Sequence, residues 1–370
     1  MYLKSIFIFL LLVGTISSFA QKDTKEDSVK TGLNFGALPT ITYDSDFGLQ
    51  YGGMVNLYFY GDGSTYPEYR HSLYMEVSRF TKGSGINRLF YDSKYLIPGI
   101  RLTADMSYLT EQALPFYGFN GAEAIYNAGW EDDQSEDYIS RVFYRHERQF
   151  FRLKTDFQGK LPVKNLGWIA GYLGYKFNIG SVDVDRLNEG KSGEDALPDT
   201  AGLYDLYVRW GLIDEAEKDG GIHHYFKAGL VYDTRDNEPN PMQGMWSEFV
   251  VQAAPEFAGN NNFGHAKISL THRQYFTLIP EDLSLAYRVL YQTTVGECPF
   301  YLYPLISTSF LKGANSEGLG GAKTVRGVLR NRVVGKGIAF GNFELRYKLW
   351  RFHLFKQNFY LGTNIFLDAG

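Results

Sequence analysis

The chain has 370 residues, a formal net charge of -4, a single cysteine, and 28 Tyr, 28 Phe and 40 Gly. A slightly acidic chain offers no basic patch for nucleic acid, and one cysteine, Cys298, excludes an intramolecular disulfide framework. Past the first twenty residues no apolar run approaches the roughly 20 residues that a spanning helix needs.

Residues 1–20 read as a cleaved signal peptide. Lys4 supplies the positive start, Ile6 to Val13 is an unbroken apolar run, and Ser18-Phe19-Ala20 fits a small-x-small cleavage site. A membrane anchor would need a longer run. Residues 21–33 are polar and charged, and read as a short periplasmic tether.

From Asn34 onward the sequence alternates. In Ile100 to Tyr108, Ile100, Leu102, Ala104, Met106 and Tyr108 share one face, and Arg101, Thr103, Asp105 and Ser107 share the other. The same two-residue period runs through Leu283 to Thr294. It recurs in Gly341 to Trp350, where Phe343, Leu345, Tyr347 and Leu349 oppose Asn342, Glu344, Arg346 and Lys348. Strands are expected at about 34–43, 47–60, 69–80, 87–95, 100–110, 140–160, 167–180, 223–233, 244–255, 264–278, 283–295, 337–350 and 357–369. A secreted β-sandwich array shares this signal. Export, abundant aromatics, strands of membrane-spanning length and a polar second face favour a transmembrane antiparallel β-barrel, all-β in class. Outer-membrane lipids and lipopolysaccharide are then its surroundings.

The connections also alternate. Short turns include Leu96 to Gly99, Leu161 to Gly167 and Asp233 to Gly244. Long loops include Glu111 to Ile139, Ser181 to Ile222 and Cys298 to Gly335. Short periplasmic turns and long outer loops are the usual barrel asymmetry. About thirteen strands is an odd number for a bacterial barrel. Unpaired edges in lipid are costly, so the barrel of residues 34–370 is expected to be incomplete, with further strands after Gly370.

Several residues invite a site and do not make one. His223 and His224 are adjacent, so they face opposite sides of a strand and share no metal. His265 and His272 lack an evident third ligand. A lipase needs a Ser–His pair, yet Ser269 and His272 stand three apart on one strand and face opposite ways. No Gly-x-Ser-x-Gly elbow is present, and neither enzyme chemistry nor a cofactor or metal is expected. The acidic run Glu131 to Asp137 reads as a solvated loop. Phe116, Tyr117 and Phe119 read as packing, and Arg145 to Arg148 as a lumen or rim network.

One constellation remains. Gly320-Gly321-Ala322-Lys323-Thr324-Val325-Arg326-Gly327 lies in the last long loop, where glycines permit tight turns. Glu344 is on the inward face of the next strand, and Asp368 on that of the strand after, with Gly362 and Asn364. Arg326 is expected to bridge the two carboxylates by charge-assisted hydrogen bonds. The plain alternative is a solvated arginine beside two carboxylates that wet the lumen.

These segments resemble the C-terminal region of the Omp85 superfamily, also called bacterial surface antigen D15. Val325-Arg326-Gly327 matches its signature loop. Phe366, Asp368 and Gly370 match its later strand motif, and Gly341 to Arg346 matches the strand between. The turn Tyr232-Asp233-Thr234-Arg235-Asp236-Asn237, followed by Pro241 and Gly244, resembles its mid-barrel periplasmic turn. The resemblance is specific over residues 223–370. It implies a sixteen-strand barrel whose signature loop joins strands eleven and twelve. It also implies work in outer-membrane protein assembly, insertion or translocation, on unfolded outer-membrane protein clients. Two departures stand out: Val328 replaces the aromatic that usually follows Arg-Gly, and no room exists for the periplasmic POTRA domains. The resemblance is therefore to short, barrel-only members that need separate periplasmic partners. A passive channel or structural surface barrel is the alternative.

Overall fold

The computed structural model describes residues 29–370 apart from 45–47, 239, 261, 309–316 and 355–356; the signal segment and most of the tether lie outside the described residues. Thirteen strands form one antiparallel sheet in strict chain order. They are β1(Leu33–Asp44), β2(Gly48–Phe59), β3(His71–Phe80), β4(Gly85–Ile97), β5(Ile100–Pro115), β6(Arg145–Lys160), β7(Leu166–Gly180), β8(Gly220–Asp233), β9(Gly244–Ala254), β10(His265–Ile279), β11(Leu283–Gly296), β12(Gly337–Leu354) and β13(Gln357–Ala369). Among the described residues no helix is long and apolar enough to cross a membrane.

The alternation sets the wall. Met106, Tyr108, Leu270, Val289, Tyr291 and Phe343 are exposed on the outer face, where lipid covers such side chains. Their neighbours in sequence point into the lumen and are buried: Asp105, Ser107, Thr271, Gln292 and Asn342. A polar side chain away from bulk water needs a partner, and the lumen supplies charged ones. Arg88 (2.6 Å) and Arg152 (2.8 Å) both pair with Asp105. Lys154 and Lys227 both pair with Asp156.

Turn chemistry closes the short-turn end. Gly99 and Glu281 adopt positive φ in the β4–β5 and β10–β11 turns. At Gly244 (φ +94) a Cβ would stand 2.2 Å from the Thr234 carbonyl oxygen, so the β8–β9 turn requires glycine there.

Boundaries differ most from expectation around β5 and β6. β6 begins at Arg145, not near residue 140, and β5 runs on to Pro115. Residues 140–144 instead turn into a dome over the long-loop end, with Phe143 and Tyr144 in its interior. Phe116, Tyr117, Tyr204, Phe300 and Leu302 pack against them, some from the helix at Leu203–Arg209 and some from the segment after Cys298. Burial pushes the Cys298 thiol up to about 12, so it behaves as a small apolar side chain.

Candidate functional site: a loop fastened inside the barrel

The last long connection sends a tongue, residues 317–333, into the lumen. A bridge between Leu319 and Val333 and a bond from the Gly321 amide to the Val328 carbonyl (2.8 Å) hold its two sides together. The approach is close enough that a Cβ on Gly320 (φ +113) would collide with the Leu329 carbonyl. Thr324 Oγ1 donates to the Gly320 carbonyl (2.8 Å) and accepts from its amide (3.0 Å), which rounds the tip. Gly327 (φ +83) ends the turn.

The tip carries Arg326. Its Nε donates to Asp368 Oδ2 (2.7 Å), its Nη2 to Asp368 Oδ1 (2.7 Å) and its Nη1 to Glu344 Oε1 (2.7 Å). The Arg326 amide donates to Asp368 as well (2.9 Å). The two-toothed contact with Asp368 matches the planar guanidinium fork. Those hydrogen bonds, led by Asp368, hold Arg326 charged above arginine's ordinary range. The guanidinium also lies 3.7 Å from the Phe366 ring centroid, within cation–π distance. Phe366 thus supplies an aromatic contact, while Val328 is exposed.

The wall orients both acceptors. Asn342 stands directly across from Asp368 in the β12–β13 register and donates to it (2.8 Å) and to the Thr324 carbonyl (2.6 Å). Arg346 donates to the second oxygen of Glu344 (2.7 Å). Arg288 on β11 donates to Asn342 (2.9 Å) and to the Lys323 carbonyl (2.7 Å). Val325 packs against Leu290, Ile306, Ile338 and Phe340. A Cβ on Gly370 would meet Val325 and Leu319 near 3.1 and 3.0 Å, so the strand end lies directly against the tongue.

Asp233 and Arg235 lie at the other end of the barrel. Arg235 grips Asp233 with two hydrogen bonds (2.9 and 3.0 Å) and covers the Trp246 ring at 4.4 Å. The same turn swings Glu238 beneath the lumen to Arg101 on β5 (3.1 Å), which Asp92 also holds (2.7 Å). Sequence reasoning missed this crossing, because nothing local marks a turn that reaches across the barrel.

The histidines divide by face as their parity requires. His223 meets Tyr301 inside (2.7 Å) and His224 meets Tyr172 outside (2.6 Å). His272 does find a serine, though on the neighbouring strand: Ser247 Oγ lies 2.8 Å from Nδ1 on the outer wall. Ser269 is on the opposite face, and only the β9–β10 register reveals Ser247. Among the described residues no cluster of His, Cys, Asp or Glu is arranged to hold a metal ion.

The sequence matches the Omp85 superfamily domain over residues 119–370. No curated protein sequence matches the chain. The fold is similar to the crystal structure of BamA from Haemophilus ducreyi lacking POTRA domains 1–3, with TM-score 0.51 and 15% identity over 91% of this chain and 56% of that one. It is also similar to CdiB from Escherichia coli, with TM-score 0.51 and 10% identity over 86% of this chain and 48% of that one. The chain thus spans about half the length of each structure, and at these identities the likeness is one of fold. With an in-order antiparallel wall, a glycine-bent tongue inside it and the superfamily domain covering most of its length, the chain belongs to the Omp85 superfamily of bacterial outer-membrane β-barrels.

Proposed function

We propose that this barrel serves the assembly, insertion or translocation of outer-membrane proteins, and that Arg326 is a structural latch for its tongue. The observation that carries the reading is the contact of Arg326 with Asp368 and Glu344 from two neighbouring strands. The arrangement needs no bond chemistry. A latched tongue keeps β12 and β13 in register while an unpaired strand edge of the wall accepts a client strand by backbone pairing. Capture of the unfolded client falls to separate periplasmic partners.

The test has two arms. Depletion of the protein is expected to lower the amounts of other outer-membrane barrels. Arg326→Ala is expected to reduce the folded, heat-modifiable form in gels, with partial recovery in the pair Arg326→Glu and Asp368→Arg. Unchanged levels of other barrels on depletion would assign the chain to the passive-channel reading. Unchanged heat-modifiable migration and protease resistance in Arg326→Ala would remove the latch.

A further inference from the structure

The tongue is fastened at its base as well as at its tip. Glu317 and Arg330, on its two sides, both reach the wall formed by β5 and β6. Arg148 Nη2 donates to Glu317 (3.0 Å), and Arg148 Nε donates to Glu111 (2.7 Å). Arg330 Nη2 donates to Glu111 (2.8 Å) and to Glu317 (3.3 Å). Two arginines and two glutamates therefore close a charge-balanced ring. Arg148 and Glu317 are almost fully buried, their side chains 1% and 3% exposed. The Arg148 guanidinium also covers the Phe150 ring at 4.9 Å.

This ring ends a longer row. Up the inner face of β4, β5 and β6 run Asp92 and Arg101, then Arg88, Asp105 and Arg152, then Glu111 and Arg148. The lower part of the row borders an open cavity of about 980 Å³ lined by Tyr58, Tyr69, Tyr74, Arg88 and Arg101. The upper part stops at the tongue, which the dome covers: Arg332 donates to the Ala124 carbonyl (2.8 Å) and lies over Tyr117 and Tyr126. Charged side chains along a wall offer hydrated ions a favourable path, and here the row ends where the tongue completes the ring.

We propose that the Arg148–Glu111–Arg330–Glu317 ring is the closure of a gated small-ion route along the β4–β6 wall. Release of the ring frees the tongue base and, through Arg332, the dome contacts that the tongue holds, which opens the route because groups that lose their partners there take up water. The inference does not depend on an assembly role, since ion flow is read without any client.

Single-channel recording in planar bilayers tests it, with potassium chloride as the only permeant salt and the full natural protein. The parent is expected to be closed for most of the record. Glu317→Gln is expected to raise the conducting fraction about tenfold, the factor that loss of one charge-assisted bond supplies, and Arg148→Met to raise it further. Arg351→Gln, which removes an exposed ion pair with Asp282 at the short-turn end, is expected to leave the conducting fraction near the parent's. Two results overturn the proposal: folded, heat-modifiable Glu317→Gln with the parent's conducting fraction, or Arg351→Gln with the full increase. Should Arg148→Met fail to fold, Glu317→Gln decides alone, since it keeps the side chain's shape and leaves Arg148 with Glu111.

Discussion

The tip of the tongue and its base use the same chemistry in different surroundings. At the tip one arginine comes from the loop and both carboxylates from the wall, and the Arg326 side chain is 23% exposed. At the base loop and wall each contribute one arginine and one glutamate, and Arg148 is 1% exposed. Burial decides what each contact costs to break. An exposed pair gains little because water replaces the lost partner. A buried pair is expensive to halve, because the remaining charge is stranded. The base is therefore expected to cost more to break than the tip.

Four substitutions sharpen or break that contrast. Arg148→Met removes the buried cation of the ring and leaves the buried carboxylates of Glu111 and Glu317 without their most buried partner, for an expected loss of about 3–5 kcal/mol. The urea midpoint of the heat-modifiable form measures it. Arg326→Ala is expected to cost about 1.5–3 kcal/mol on the same assay, in line with charge-assisted bonds to acceptors that keep other partners. Asn342 still serves Asp368 there, and Arg346 still serves Glu344. A larger loss at Arg326 than at Arg148 would reverse the ranking by burial. Gly320→Ala is expected to strain the tongue by about 1–3 kcal/mol, read as faster protease cleavage in the last long loop while the barrel stays heat-modifiable. Arg330→Gln should change the midpoint least, by under about 1 kcal/mol, because its side chain is 25% exposed and Arg148 retains both glutamates. A loss equal to that of Arg148→Met would show that the ring acts as one unit and not through its buried half.

The two ends of the tongue also differ in how legible they were. Arg326, Glu344 and Asp368 stand out because two lie at inward positions of alternating strands, the third sits among glycines in a loop, and all three fall in segments that resemble the Omp85 signature. Arg148 sits at an inward position of β6, so parity places it in the lumen, whereas Glu111 falls in the expected long loop and reaches the wall only because β5 runs on to Pro115. Glu317 and Arg330 carry no comparable mark. They lie in irregular chain, and their contacts with Glu111 and Arg148 span up to 219 residues. The segment 140–144 illustrates the same limit. Its Phe143 and Tyr144 continue a strand-like pattern, but the dome buries them more completely than a strand extension into water would.

The sequence by itself determined the wall: its strands, which side chains face lipid and which face the lumen, and the family. A two-residue period is a local property, and each strand needs only its own alternation to display it. Only the tertiary structure decided what fills the lumen. The crossing of Glu238 to Arg101, the meeting of Ser247 with His272 and the ring around Arg148 depend on register and on loop paths. Those are fixed when distant charges find partners away from water, and no local pattern records which partner is nearest.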